Sequence, residues 1–156
     1  MPRPEKERIV HTPPLLTEFK PTGIAASMLD PIMLTLDEYE ALRLSDQLGY
    51  SQEEAAEEME ISRPTFTRLI EKARKKLVDF IVEGKMLVIE GGNIHFRSNL
   101  FKCLSCGHLF NTNMNTSIAE CPECHSGNLV NLAGGFGHGK CCTNRNRKRG
   151  GNYARR

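Results

Sequence analysis

Residues 51–76, read in one-letter code as SQEEAAEEMEISRPTFTRLIEKARKK, constrain the fold of this chain more than any other stretch. Ser51 with Glu54 three positions on is the signature of a capping box, which satisfies free amides at a helix start. Ser62 repeats the signal as an N-cap. Pro64 is tolerated in the first turn, and Ile61 is placed to staple against Phe66. Ala55, Ala56 and Met59 give the first helix a small-residue face where a second helix can approach closely. Phe66, Leu69, Ile70, Ala73, Leu77 and Phe80 then keep a helical period. Two capped helices joined by a short turn, the second basic where the first is acidic, predict a helix-turn-helix.

A third helix precedes them. Thr35 with Glu38 offers another capping box, Leu34 can staple against Tyr39, and Leu36, Tyr39 and Leu42 share one face. The segment Asp46-Gln47-Leu48-Gly49 closes it. The first 33 residues carry Pro2, Pro4, Pro13, Pro14, Pro21 and Pro31 without a helical period. They read as an arm, with a short strand around residues 15–20. Gly84 ends the long helix, and Met86–Ile89 followed by Gly91-Gly92 reads as a strand and turn, with Ile94–Phe96 a second strand.

Charge is unevenly spread behind a net +2. Residues 37–60 hold nine acids and one base, Arg43, whereas 61–85 hold seven bases and three acids. Residues 141–156 hold six bases and no acid. Such polarity repels phosphate on one side and holds it on the other. The paired carboxylates are expected on solvated helix faces. There is no phosphate-cradling glycine loop, and no enzymatic activity is expected.

In a helix-turn-helix the N-terminal residues of the second helix meet base edges. Here these are Arg63, Pro64, Thr65, Thr67 and Arg68, set between apolar positions and so directed away from the core. Arginine can hold a guanine edge with two hydrogen bonds, and threonine can meet a thymine methyl. Lys72, Arg74, Lys75 and Lys76 are expected to hold phosphates, as are the free amides near Ser51 and Gln52. Glu60 is the discordant residue. This turn position often needs positive φ, where a residue other than glycine costs on the order of 1 kcal/mol.

Cys103-x-x-Cys106 and Cys121-x-x-Cys124 are two knuckles separated by fourteen residues. Four thiolates from such turns complete a tetrahedral shell. The expected ion is Zn2+ in a ribbon too small to fold on its own apolar core, and the same shell holds iron in rubredoxin-like sites. The closed shell argues for a structural ion. His108 and His125 read as neighbours that hydrogen-bond sulfur rather than as ligands. In the Gly- and Arg-rich tail, His138, Cys141 and Cys142 are candidates for a second metal or redox site. Long-range attraction to nucleic acid is the reading preferred for that tail. No run approaches the ~18 apolar residues of a membrane span, and the N-terminus has no signal-peptide character. A cytoplasmic protein that does not contact membranes is expected.

Several segments resemble a known family. Phe19-Lys20-Pro21-Thr22-Gly23-Ile24, the run from Leu34 to Leu44, Ser51–Arg68 and the run from Glu83 to Gly92 are similar to the UPF0251 (DUF134) family of small prokaryotic proteins. The resemblance covers roughly residues 1–95. It implies a DNA-binding protein whose helix-turn-helix is similar to region 4 of sigma factors, with Arg63, Thr65, Thr67 and Arg68 at the matching positions.

The expectation is therefore a mainly α chain divided into four parts. A Pro-rich arm (1–33) precedes a three-helix helix-turn-helix domain with a short β extension (34–97). A four-cysteine zinc-ribbon-like module (98–130) and a flexible Gly/Arg-rich tail (131–156) follow. The expected function is sequence-specific binding of double-stranded DNA in transcription regulation, by a homodimer. The alternative is a metal-dependent adaptor or redox or metal sensor, whose acidic helices dock a protein such as RNA polymerase.

Overall fold

A computed structural model describes residues 7–113 and 116–136. They divide into two compact units. The first runs through Val10 and over Pro14–Ile94, and the second takes His11–Pro13 and the chain from His95 on.

In the first unit, β1 (Arg8–Val10), β2 (Glu18–Phe19) and β3 (Pro31–Leu34) precede α1 (Leu36–Leu42), α2 (Gln52–Glu58) and α3 (Arg63–Val82), and β4 (Met86–Ile89) follows. β4 lies between β2 and β3, antiparallel to β2 and parallel to β3, with Ile32 opposite Leu87 and Leu34 opposite Ile89. All three helices thus form the crossover between two parallel strands. β5 (Ile94–Phe96) carries the chain into the second unit.

This arrangement corrects the mainly α, three-helix helix-turn-helix fold expected from sequence. Among the described residues 36% are helical and 23% are in strands, so the chain is a mixed α and β protein. The difference arises where no helical period was visible. The segment read as an arm supplies β1 and β3 beside β2, which falls within the strand expected around residues 15–20, and Ile9, Val10 and Leu34 are buried. Pro31 is compatible with a strand because it opens β3 at the sheet edge, where its missing N–H is not needed.

The helices pack around Leu44, Met59, Phe66 and Ile70, all fully buried, with Ala55 and Ala56 bringing α2 close to them. α1 continues into a π-helical turn, Arg43–Gln47, before Gly49 at φ +75° reverses the chain. Its expected capping box does not form. Thr35 sits at the N-cap position, but its hydroxyl donates to the carboxylates of Asp37 and Glu38 instead. The box at Ser51 and Glu54 does form, with both reciprocal hydrogen bonds present. Ser62 caps α3 through the Thr65 amide.

Glu60 is left-handed, at φ 55°. The turn around it is a Schellman motif: the Ile61 amide donates to Ala56 O at 3.0 Å and the Glu60 amide to Glu57 O at 3.1 Å. Those two bonds end α2 and set the direction in which α3 departs.

In the second unit, β6 (Ser98–Cys103) lies between β7 (Leu109–Asn113) and β8 (Leu129–Asn131), antiparallel to both. Phe101 pairs with Phe110 across the ladder, their rings stacked at 5.7 Å, and buried Phe96 packs on Phe136. The end of β6 delivers Cys103 to the first knuckle.

Candidate metal centre and basic helix face

The two knuckles fold alike because they repeat one hydrogen-bond pattern. The amide of Gly107 donates to Cys103 O, and that of His125 to Cys121 O, each at 2.9 Å. One residue further on, His108 O accepts from the Cys103 amide and Ser126 O from the Cys121 amide. Closing each turn requires positive φ four residues after the first cysteine. Gly107 takes it at +79° and His125 at +61°. A hydrogen bond of 2.8 Å between the Ser105 and Ser126 hydroxyls ties the knuckles together.

All four sulfur atoms lie within 4.8 Å of one another, with Cys103 to Cys124 at 3.6 Å and Cys106 to Cys121 at 3.7 Å. Ligands 2.3 Å from a tetrahedral Zn2+ stand about 3.8 Å apart, so this donor set fits such an ion. Disulfides would bring bonded sulfurs to about 2.05 Å. Neither histidine joins the cluster: His108 stacks on Phe110, and His125 Nδ1 lies 3.5 Å from Glu120. Thiol acidity reflects the crowding. The backbone amide of Cys106, followed by that of Ser105, pulls Cys103 down to about 6. At Cys106 the His108 amide pulls the same way, but desolvation and the neighbouring sulfurs of Cys124, Cys103 and Cys121 win and push it up to about 12. Cys124 is also raised. The Cys103 thiolate forms readily, whereas those of Cys106 and Cys124 need a cation beside them. His138, Cys141 and Cys142 lie outside the described residues.

On the helices, the residues expected to meet DNA have diverse surroundings. Arg63 is exposed and sits 3.4 Å from Glu53, which is exposed too. Pro64 is exposed in the first turn of α3. Thr65 shares a hydrogen bond with Ser62, while Thr67 donates to Gln52 and to Arg63 O, tying α3 to the start of α2. Arg74 grips Asp46 with two hydrogen bonds of 2.8 and 3.1 Å, and Lys75 reaches Asp79 at 3.2 Å. Lys76 donates to Glu38 and to Met33 O, both at 2.7 Å. Of the basic residues in this group, only Arg68 and Lys72 are exposed without an ion pair or hydrogen bond among the described residues. No acid occupies the first turn of α3, so its N-terminal dipole adds to the positive field.

The carboxylates of α1 are not solvated, contrary to expectation. Asp37, Glu38 and Glu40 are 5%, 2% and 0% exposed. Asp37 pairs with Arg8, Glu38 with Lys76, and Glu40 with Arg43 at 2.6 Å. Asp37 and Glu38 also line a cavity of about 340 Å³ beneath Thr65, Arg68 and Lys72 of α3. Gly92 walls it closely: a Cβ there would stand 2.9 Å from Asp37 Oδ1. Sequence reasoning missed this cavity. Its available signal was that Asp37 and Glu38 share helical spacing with the core residues Ala41 and Leu44.

A mixed α and β unit with a basic helix face, joined in one chain to a cluster of four cysteines with metal-ligand geometry, is the class these features define. The chain belongs to the UPF0251 (DUF134) family, whose family model, described as "Protein of unknown function DUF134", matches residues 1–97. A UPF0251 protein of Chloroherpeton thalassium is 48% identical over 132 residues, which span 85% of this chain and 87% of that one. One from Caldicellulosiruptor saccharolyticus is 41% identical over 145 residues, spanning 90% and 99%. Another, from Thermoanaerobacter pseudethanolicus, is 54% identical over 93 residues, spanning 60% and 79%. No solved structure matches the chain. No helix among the described residues is long and apolar enough to cross a membrane.

Proposed function

We propose that this protein binds double-stranded DNA sequence-specifically and regulates transcription in the cytoplasm, without catalysing a reaction. The observation that carries the reading is the N-terminal half of α3, whose first turn holds no acid and where Arg68 and Lys72 are exposed with no partner among the described residues. Arg63 lies one turn earlier, its contact to Glu53 between two exposed side chains and easily exchanged. Arg63 and Arg68 read bases in this scheme, and Lys72 holds a phosphate. Lys76 is committed to buried Glu38 and contributes field rather than contacts, whereas Arg74 and Lys75 are held in surface pairs that exchange as that of Arg63 does. The similarity to sigma region 4 belongs to this proposal as a likeness in how the α2–α3 pair presents its second helix. A homodimer also belongs to it, and the exposed stripe of Val78, Ile81 and Val82 on α3 is the face on which to test it.

Cys103, Cys106, Cys121 and Cys124 hold one Zn2+ in this account. The ion supplies folding energy to a unit with little apolar core of its own. Four sulfur ligands leave no position for substrate, so the site is structural.

The test is fluorescence anisotropy with duplex DNA against Arg63→Ala and Arg68→Ala. A DNA-reading protein loses discrimination between sequences in both. Retained discrimination, with a protein partner still captured through the acidic residues of α2, would favour the adaptor reading.

A further inference from the structure

The cavity between α1 and α3 contains a charge arrangement that DNA binding alone does not explain. Its two carboxylates are already neutralised from within: Arg8 covers Asp37, and Lys76 covers Glu38 from behind. Arg68 and Lys72 therefore stand as surplus cations over the opening, four residues apart on one helix face. Like charges at that spacing repel, and an anion shared between them relieves the repulsion. Thr65 on α3 and Asn93 on the opposite wall add polar groups suited to phosphate oxygens.

A second, independent feature lies deeper. Glu38 is 2% exposed, and while its Oε1 accepts from Lys76 and Thr35, its Oε2 is buried with no hydrogen-bond partner. A buried carboxylate oxygen without a donor is unfavourable; Glu38 lines the cavity, and a turn of its carboxylate brings that oxygen to a donor bound there. The volume of about 340 Å³ is at the small end of ligand pockets, enough for a molecule of sugar-phosphate size.

We infer that this cavity is a binding site for a phosphomonoester that also carries hydroxyl groups. The phosphoryl group lies between Arg68 and Lys72, and a hydroxyl donates to the Glu38 carboxylate, whose unpartnered oxygen turns into the cavity to accept it. Because Arg68 and Lys72 are also proposed DNA contacts, the occupied cavity competes with the DNA backbone. That consequence rests on the DNA-binding reading, whereas ligand binding itself does not.

The probe is ribose 5-phosphate, titrated at constant ionic strength into metal-replete, 15N-labelled full-length protein, with inorganic phosphate and ribose as controls. The expected result is saturable shifts at the amides of Thr65, Gly92 and Asn93, with affinity for ribose 5-phosphate at least tenfold above that for phosphate. Arg68→Ala with Lys72→Ala, both exposed positions, lowers the affinity tenfold or more while distant amides stay in place. Glu38→Gln removes the preference for the sugar phosphate over phosphate. Shifts spread over every basic surface, or affinity unchanged in the double variant, would overturn the site. A DNA duplex added to the loaded protein separates the sources of the phosphoryl group. Displacement of the sugar phosphate shows that both compete for the cavity. If both bind together, the competition is refuted and the cavity serves the small molecule alone. If DNA does not bind at all while ribose 5-phosphate does, the DNA reading fails and this site stands.

Discussion

Replacing Glu60 by glycine should stabilise the first unit, and the amount can be worked from the turn. At φ 55° the side chain of Glu60 sits against its own backbone in the left-handed region, at a cost of roughly 1–2 kcal/mol relative to glycine. Glycine gives back about 0.5–1 kcal/mol through the greater freedom of the unfolded chain. The net gain is about 0.5–1 kcal/mol, or roughly 2–8 °C in the melting transition of a unit of this size. The two Schellman hydrogen bonds, Ile61 to Ala56 and Glu60 to Glu57, use only backbone atoms, so they survive the change. Urea denaturation of metal-replete protein, followed by helical circular dichroism, measures the difference. Glu60→Ala is the control, because it removes the same side-chain contacts but keeps the Cβ that causes the strain. A Glu60→Gly protein no more stable than Glu60→Ala would refute the argument that the turn is strained.

Arg43→Ala leaves the fully buried carboxylate of Glu40 without its guanidinium, and should cost about 3–5 kcal/mol by urea denaturation. Cys121→Ser should reduce bound metal from one ion per chain to near zero by elemental analysis, with loss of the β6–β7–β8 amide signals. Acid should act on the same site. Cys103 has its folded value lowered to about 6, so its thiolate stabilises the fold above the ordinary thiol range and is lost as pH falls through about 6. Metal release followed by a chromogenic chelator should increase as pH falls, because protons compete with the ion for the four sulfurs, and not on raising pH. Lys72→Ala should weaken binding to all duplexes about equally and reduce the slope of log affinity against log salt by about 1, whereas Arg68→Ala should also change which sequences are preferred.

The helices were readable because their starts rest on local chemistry. Ser51 with Glu54, Ser62 and Pro64 act within one turn, and the burial of Phe66, Leu69, Ile70 and Ala73 follows from their spacing alone. The strands were less readable. β3 is recognised only by its partner β4, more than fifty residues away, and no local pattern in Pro31–Leu34 announces a parallel pairing. Missing that pairing is what made the chain look mainly helical. The four-cysteine cluster was legible from spacing, since each Cys-x-x-Cys turn fixes its own two sulfurs. The cavity was not. Asp37 and Glu38 look like surface acids until Arg8 and Lys76, distant in sequence, are brought against them.

Selection of bound sequences from a random duplex pool, at near-physiological salt and with metal-replete protein, tests the central claim most directly. The account predicts recovery of a common motif that is lost when Arg63 and Arg68 are replaced by alanine, with two-fold symmetry if a homodimer binds. Recovery of only salt-sensitive binding without sequence preference would contradict it.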